Sequence, residues 1–222
     1  MTQTRRPLWV IDPSLKQGED QGVEEILKGW RSDSRLFRPV LDGNGPGPDA
    51  GYDACAIVLM GSAASVHQDL PWLSRLRDWL RPILEGDQPI PLLGICFGHQ
   101  LIAEMAGAQV DWLEPTRDKR VGIERTRVRG SRLLEEDVDL RVVVSHRETV
   151  LDAPPEYRVT ASRPGVPCDG LEHDTLEIFS YQFHPEARDE FAARSGIPEA
   201  QIDARLCSDS RRVLDQFRRR CE

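Results

Sequence analysis

The chain has 222 residues, of which 39% are hydrophobic and 30% are charged, a composition typical of an ordinary globular protein. The formal net charge of −8 argues against a nucleic-acid binder or a protein that binds acidic membranes, since both need a basic surface. Its apolar runs are far shorter than the roughly 20 residues of a membrane-spanning helix. We expect a single α/β domain over residues 1–222, because the length suits one and no internal repeat divides the chain.

The cysteines and the first residues of the chain indicate in which cellular compartment the protein is expected. The five cysteines are odd in number, lie far apart and include no Cys-x-x-Cys pair, so we predict neither a disulfide scaffold nor a structural zinc site. Residues 1–7 are polar and basic, and the apolar segment after them is too short for the core of a signal peptide. Both features indicate a cytoplasmic protein.

Apolar segments alternate with helical patterns over the first half of the chain. Strands are predicted at residues 8–11, 36–41, 54–60 and 89–95, and helices at residues 19–30, 73–84 and 98–106. A loop rich in glycine and proline, residues 42–52, separates the second strand from the third. Strands that alternate with helices indicate a parallel sheet with helices on both faces.

From residue 110 onward the pattern changes to strands. Strands are predicted at residues 121–128, 140–144, 157–161 and 176–183, and closing helices at residues 187–194 and 199–219. We expect the later strands to add antiparallel pairings to the parallel sheet. The predicted fold is therefore a three-layer α/β/α arrangement with a mostly parallel central sheet and added antiparallel strands.

The most informative segment is Gly-Ile-Cys-Phe-Gly at residues 94–98, where a buried strand runs directly into a helix. This is the thiol form of the Gly-x-Ser-x-Gly nucleophile elbow, in which glycines relieve crowding in a tight turn. The helix N-terminus favours a thiolate at Cys96, and the backbone N–H of Phe97 is placed to donate to an oxyanion. The alternative is a buried structural cysteine between two turn glycines.

A cysteine nucleophile needs a base and a group that orients the base. His184 ends a predicted strand and is followed by a proline and Glu186. Side chains two positions apart on an extended chain project to the same side, so Glu186 can bond one ring nitrogen and leave the other for the thiol. We expect His67 and His173 to be solvated, and His99 to lie on a helix surface or in packing.

The two segments resemble the signatures of the class I glutamine amidotransferase family. Its elbow reads Gly-x-Cys-x-Gly-x-Gln, which residues 94–100 match at every fixed position, and its second signature is Gln-Phe-His-Pro-Glu, found at residues 182–186. The resemblance implies that family's flavodoxin-like α/β/α fold and a contact between Gln100 and the glutamine moiety of the substrate. It implies no metal and no organic cofactor. By the same resemblance the catalytic triad is Cys96, His184 and Glu186.

Residues 57–66 resemble the oxyanion strand of the family, which usually ends in Gly-Gly-Pro. Gly61 is kept, while Ser62 and Ala63 replace the second glycine and the proline. An oxyanion hole needs backbone N–H donors and no side chain. We therefore expect the donors to be the backbone groups of Gly61, Ser62 and Phe97.

Residues 142–150 resemble the family's Ser-His-Gly-Asp-x-Val segment, which lines the glutamine pocket. Ser145 and His146 match, Arg147 replaces the glycine and Glu148 replaces the aspartate. We expect Ser145, His146 and Arg147 to contact substrate. The Arg147 side chain either points inward, where it can pair with a substrate carboxylate, or points to solvent. Residues 67–72 and the helix after them resemble a free-standing, GMP-synthetase-like group of the family.

Three functions remain open on these observations. The first is hydrolysis of the γ-carboxamide of glutamine through a γ-glutamyl thioester, with ammonia passed to a separate synthetase. The second is hydrolysis of another γ-glutamyl amide, towards which the replacements at Ser62 and Arg147 lean. The third is a catalytically silent relative that binds or regulates, and the intact triad counts against it. The expected partners are a small γ-glutamyl substrate and a synthetase, with no nucleic acid and no membrane.

Overall fold

The computed structural model describes residues 6–47 and 50–222. The polar start of the chain is thus described from Arg6 onward, and Pro48 and Asp49 of the predicted loop 42–52 lie outside the described residues. The strands are β1 (Leu8–Ile11), β2 (Ser34–Phe37), β3 (Ala56–Leu59), β4 (Leu92–Ile95), β5 (Val110–Trp112), β6 (Arg120–Val128), β7 (Val138–His146), β8 (Glu148–Val150), β9 (Tyr157–Arg163), β10 (Val166–His173) and β11 (Ile178–Tyr181). The helices are α1 (Asp20–Leu27), α2 (Pro71–Leu84), α3 (Phe97–Met105), α4 (Asp189–Ser195) and α5 (Ala204–Cys221), with a short 3-10 helix at Glu199–Gln201.

A nine-stranded sheet in the order β2-β1-β3-β4-β11-β10-β9-β6-β7 forms the centre of the fold. Strands β2, β1, β3, β4 and β11 pair in parallel, whereas β10, β9, β6 and β7 continue the sheet with antiparallel pairings. A separate two-stranded sheet joins β5 and β8. The predicted parallel sheet with added antiparallel strands is confirmed.

The parallel part of the sheet separates two hydrophobic cores. On β1, Trp9 and Ile11 belong to the core beneath α2 and α3, while Leu8 and Val10 belong to the core beneath α1 and α5. The indoles of Trp9 and Trp79 stack with their centroids 5.8 Å apart, which fastens α2 to the sheet. Side chains alternate across the strand, so both of its faces are covered and three layers result.

Strand β10 is absent from the sequence-based prediction. It contains a proline and Gly170, and it buries the acids Asp169 and Glu172, so it lacks the apolar pattern of a strand. These acids are tolerated because they are paired: Asp169 accepts from the Arg163 Nε at 2.9 Å, and Glu172 accepts from the Ser131 Oγ at 2.5 Å. Strands β5 and β8, also not predicted, have only three residues each.

The predicted helix at residues 199–219 is interrupted at Asp203. The Asp203 Oδ1 accepts a hydrogen bond from the backbone N–H of Leu206 at 2.8 Å, so α5 begins only after this N-cap. Helix α5 packs one side on the sheet through Val213, Leu214 and Phe217 and carries charged residues elsewhere. Within residues 6–47 and 50–222, no helix combines the length and apolar character needed to cross a membrane.

The start of α3 lies very close to the neighbouring strands. A Cβ at Gly98 would lie 2.3 Å from the carbonyl oxygen of Leu59, and a Cβ at Gly94 would lie 2.6 Å from the Ile102 Cδ1. Neither position has room for a larger residue. The two glycines of the elbow therefore let strand β4 turn directly into α3.

We predict that Gly98→Ala lowers the free energy of unfolding by about 2–3 kcal/mol, because the added methyl group meets backbone atoms that cannot move aside independently. Gly47→Ala is the matched control, since a Cβ at that position meets no atom of the described residues within 4 Å. Urea denaturation of both variants measures the difference. Equal stability of the two variants would contradict the close contact between α3 and β3.

Candidate active site

Cys96 lies between β4 and α3 in a strained backbone conformation. Its φ of 51° and ψ of −100° fall in a region that a residue with a Cβ rarely adopts, at a cost of about 1–3 kcal/mol. Two hydrogen bonds hold it there: its N–H donates to the Tyr181 carbonyl at 2.8 Å, and its carbonyl accepts from the Gln100 N–H at 3.0 Å. The thiol projects into a cleft at the carboxyl end of β4.

His184 reaches the thiol by leaving the parallel part of the sheet. The predicted strand at residues 176–183 ends at Tyr181, and His184 then forms a bridge to β7, its N–H donating to the Val143 carbonyl at 2.9 Å. Phe191 packs against the imidazole with the two centroids 4.4 Å apart. Gly61 lies on another side, since a Cβ there would be 2.9 Å from the His184 Cε1. The ring is thus fixed on several sides.

Glu186 orients the His184 ring. Its Oε1 lies 2.8 Å from the Nδ1 of His184, and both side chains are buried. The other ring nitrogen, Nε2, makes no close hydrogen bond within the described residues and is left for the Cys96 sulfur. The arrangement is that of a nucleophile, a base and an orienting carboxylate.

The charge on His184 follows from these neighbours. Burial disfavours the imidazolium form, but the Glu186 carboxylate and the Cys96 thiolate outweigh burial and raise the pKa of His184 to about 10. The ring is therefore an imidazolium over the neutral range.

The expected oxyanion donors adjoin the thiol. Gly61 and Ser62 line the cleft, and Phe97 is the first residue of α3, so its N–H has no acceptor within the helix. The Ser62 Oγ donates to the Pro13 carbonyl at 2.7 Å and accepts from the Ala64 N–H at 3.1 Å. The serine hydroxyl thus stabilises this loop. The backbone N–H of Ser62 is a candidate donor to an oxyanion.

Both ring nitrogens of His146 are bonded to protein groups. Its Nδ1 lies 2.8 Å from the Glu148 carbonyl, and its Nε2 accepts from the Arg163 Nη2 at 2.6 Å. Burial, with the adjacent Arg163 cation, lowers the pKa of His146 to about 3, so the ring is neutral. Ser145, one residue earlier, places its carbonyl oxygen 3.9 Å from the Cys96 sulfur.

Arg163 and its partners were not found from the sequence. The guanidinium is buried and pairs with the carboxylates of Asp169 and Glu124 while it also bonds to His146. Buried charges of this kind are stable only when each is paired. Arg163 comes from β9 and Asp169 from β10, so no sequence spacing relates them to the triad.

Gln100 and Arg147 both line the cleft, but their side chains are engaged with the protein. The Gln100 Nε2 donates to the Glu148 carbonyl at 2.8 Å and to the Gln182 Oε1 at 3.0 Å. Arg147 is exposed at the rim, where its Nη1 donates to the Arg117 carbonyl at 2.7 Å. Substrate contacts by either residue remain predictions.

The cleft around Cys96 has a volume of about 610 Å³ and extends well beyond the triad. Its wall includes several side chains that no motif indicated, contributed by the loop after β1, by β5, by the segment between β5 and β6, and by α4. These residues are Lys16, Glu19, Trp112, Lys119 and Arg194. Glu19 and Arg194 form an ion pair next to Glu186.

Comparison with known proteins identifies the family of the chain. The family model described as glutamine amidotransferase class-I matches residues 53–195, which include Cys96, His184 and Glu186. The chain belongs to the class I glutamine amidotransferase family. Among solved structures, a glutamine amidotransferase from Methylobacillus flagellatus is similar with a TM-score of 0.76 and 20% identity, covering 96% of this chain and 94% of that one.

Two curated relatives of this amidotransferase-family chain are named for GMP synthase. One from Cupriavidus taiwanensis, a glutamine-hydrolyzing GMP synthase, is 33% identical over 141 residues, covering 59% of this chain and 24% of that protein. The other, from Pyrococcus abyssi, is named as one subunit of a glutamine-hydrolyzing GMP synthase. It is 38% identical over 104 residues, covering 44% of this chain and 51% of that protein. The match spans about a quarter of the first relative and about half of the second.

The other histidines of this class I family member are mostly structural. His99 is fully buried between the Ser180 Oγ and the Cys168 carbonyl, each 2.9 Å from a ring nitrogen, so it is a packing residue and does not lie on the helix surface. His173 was expected to be solvated, and this was wrong. It is buried, and its Nδ1 accepts from the backbone N–H groups of Thr175 and Leu176.

These environments predict two different imidazole states. His184, with a pKa of about 10, is expected to be an imidazolium at about pH 7, whereas His99 and His146, with pKa values of about 3, are expected to be neutral. Nitrogen-15 NMR of the imidazole rings across a pH series distinguishes the states. Cys96→Ala should lower the pKa of His184, because the thiolate is removed. A His184 ring that titrates near its ordinary value would contradict the arrangement.

Proposed function

We propose that this chain hydrolyses the γ-carboxamide of glutamine to glutamate and ammonia. Cys96 is the nucleophile, His184 transfers protons and Glu186 orients His184. One observation carries the proposal: a strained Cys96 backbone and a hydrogen-bonded His184–Glu186 pair meet in one cleft, although 88 residues separate Cys96 from His184. Membership of a glutamine amidotransferase family supports the choice of substrate.

The reaction follows from the positions of these groups. The Cys96 thiolate attacks the γ-carbonyl carbon, and the resulting oxyanion accepts hydrogen bonds from the backbone N–H groups of Gly61, Ser62 and Phe97. The His184 imidazolium gives its proton to the leaving nitrogen, and ammonia departs, leaving a γ-glutamyl thioester. Water, deprotonated by His184, then attacks the thioester, which releases glutamate and regenerates the thiolate.

We further propose that the ammonia is passed to a separate synthetase. Support comes from the curated relatives, one of which is named as a subunit of a glutamine-hydrolyzing GMP synthase. We also propose that residues 1–222 form one catalytic domain, and the support for this is the nine-stranded sheet that joins β1 and β11.

Hydrolysis of a larger γ-glutamyl amide is the second candidate. The observation that favours it is the size and lining of the cleft, which continues past the triad to Trp112, Lys119 and Lys16. Release of ammonia from glutamine needs no such extension. Comparing the kcat/KM of hydrolysis for glutamine with that for γ-glutamyl amides of larger amines distinguishes the two candidate functions.

Cys96→Ala is expected to lower glutamate release from glutamine by at least about 10³-fold, because the covalent route is lost. Cys207→Ala, which removes a half-buried thiol on α5, is the control and should retain activity. Glutamate and ammonia are measured separately, and thermal unfolding shows that both variants are folded. Retained activity in Cys96→Ala would exclude Cys96 as the nucleophile.

Glu186→Gln is expected to move the alkaline limb of the pH–rate profile to lower pH. The Glu186 carboxylate helps to raise the pKa of His184 to about 10, so its removal lets the imidazolium lose its proton at lower pH. The proton donor to the leaving nitrogen is then lost earlier as the pH rises. His184→Asn, whose amide cannot act as an acid or a base near neutral pH, should cost nearly as much activity as Cys96→Ala. An alkaline limb unchanged in Glu186→Gln would show that the carboxylate does not act through His184.

A further inference from the structure

Lysine is rare in this chain, and its positions are uneven. Lysine and arginine together number 29, but only Lys16, Lys28 and Lys119 are lysines. Two of the three, Lys16 and Lys119, line the cleft that holds Cys96. The third, Lys28, lies on the surface after α1 and beside Glu25.

The arginines around the cleft are committed to other protein groups. Arg194 pairs with the Glu19 carboxylate, and Arg147 donates to the Arg117 carbonyl. By contrast, neither Lys16 nor Lys119 has a salt bridge or side-chain hydrogen bond among residues 6–47 and 50–222. Among the described residues, their ammonium groups line the cleft without a protein partner.

The fold places Lys119 across from Arg147. Antiparallel pairing of β6 with β7 sets Arg120 opposite His146, so the residue before Arg120 lies across from Arg147. Lys119 is exposed at the mouth of the cleft, yet enough protein surrounds its ammonium for burial to lower the pKa of Lys119, against the opposing effect of the Cys96 thiolate. Its charge therefore lies within the electrostatic reach of the nucleophile.

The loop that carries Lys16 is fixed by a buried carboxylate, that of Asp12. Asp12, directly after β1, accepts from the Ser14 Oγ at 2.5 Å, the Glu19 N–H at 3.0 Å and the Arg38 Nε at 3.1 Å. These bonds fix the loop between Asp12 and Glu19, which contains Lys16. The second lysine is thus carried on an ordered loop.

We propose that Lys119, assisted by Lys16, forms a subsite for a carboxylate of the γ-glutamyl donor. A partly enclosed ammonium without a protein partner is stabilised when an anion binds beside it. This inference rests on the proposed function and specifies its donor. The carboxylate has two possible sources: the α-carboxylate of the γ-glutamyl group, or a carboxylate on the leaving amine, as in a γ-glutamyl peptide.

The decisive test uses alkylation of Cys96 and needs no turnover. Iodoacetate and iodoacetamide both place a carbon on the sulfur and release iodide, but only iodoacetate carries a carboxylate. Lys119→Gln should lower the iodoacetate-to-iodoacetamide rate ratio at Cys96 by about fivefold at low ionic strength, and added salt should reduce the difference. Lys119→Arg keeps the charge and should keep the ratio.

Lys28→Gln is the matched control, since it removes the same charge away from the cleft. The proposal is overturned if Lys119→Gln leaves the ratio unchanged, or if Lys28→Gln lowers it equally. Because alkylation does not depend on hydrolysis of any amide, a protein inactive on glutamine would refute the proposed function and leave this test in force.

Hydrolysis assays then identify the source of the carboxylate. Glutamine, γ-glutamylmethylamide and γ-glutamylglycine share the α-carboxylate, and only the last carries a carboxylate on its amine. A similar loss of kcat/KM for all three in Lys119→Gln assigns the subsite to the α-carboxylate. A loss of about fivefold or more for γ-glutamylglycine alone assigns it to the leaving amine. If Lys119→Gln lowers kcat/KM for none of the three substrates, Lys119 does not bind a carboxylate of the γ-glutamyl donor and the proposal is overturned.

Discussion

The parallel pairing of β4 with β11 determines the geometry of the whole site. It sets Ile95 opposite Tyr181, and the next amide, that of Cys96, donates to the Tyr181 carbonyl. Cys96 and the segment that leads to His184 therefore leave the sheet at one edge, side by side. Carboxyl ends of parallel strands commonly form binding clefts for this reason. The distant bridge between His184 and Val143 then turns the imidazole back towards the sulfur.

Two features at this edge of the sheet are energetically unfavourable, and the surrounding residues compensate for them. The positive φ of Cys96 is unfavourable by itself, and Gly94 and Gly98 allow the tight approach that maintains it. A buried His184 imidazolium is unfavourable as well, and it persists because Glu186 and the thiolate flank it. Each unfavourable feature is balanced by a neighbour that a substitution would remove. Sites of this type exchange stability for reactivity.

The sequence predicts the parts of the structure that depend on local patterns. The strand–helix alternation of the parallel sheet and the elbow around Cys96 are local, and so is the two-residue spacing of His184 and Glu186. The network of Arg163 with Asp169 is not local, because it arises from the pairing of β9 with β10, and β10 lacks an apolar pattern. Part of the cleft wall was missed as well, because residues such as Lys16, Lys119 and Arg194 come from separate segments of the chain. Lys119 reaches the site only through the register of β6 on β7.

Arginine and lysine occupy different kinds of position in this chain. Arginine presents a rigid fork of donors and suits fixed pairs inside the fold, such as Arg163 with Asp169 and Arg38 with Asp12. Lysine carries a compact charge on a flexible chain, which suits a ligand that binds and leaves. A chain that uses arginine almost everywhere, yet has two of its three lysines in the cleft, separates cations that hold the protein together from cations available to a substrate.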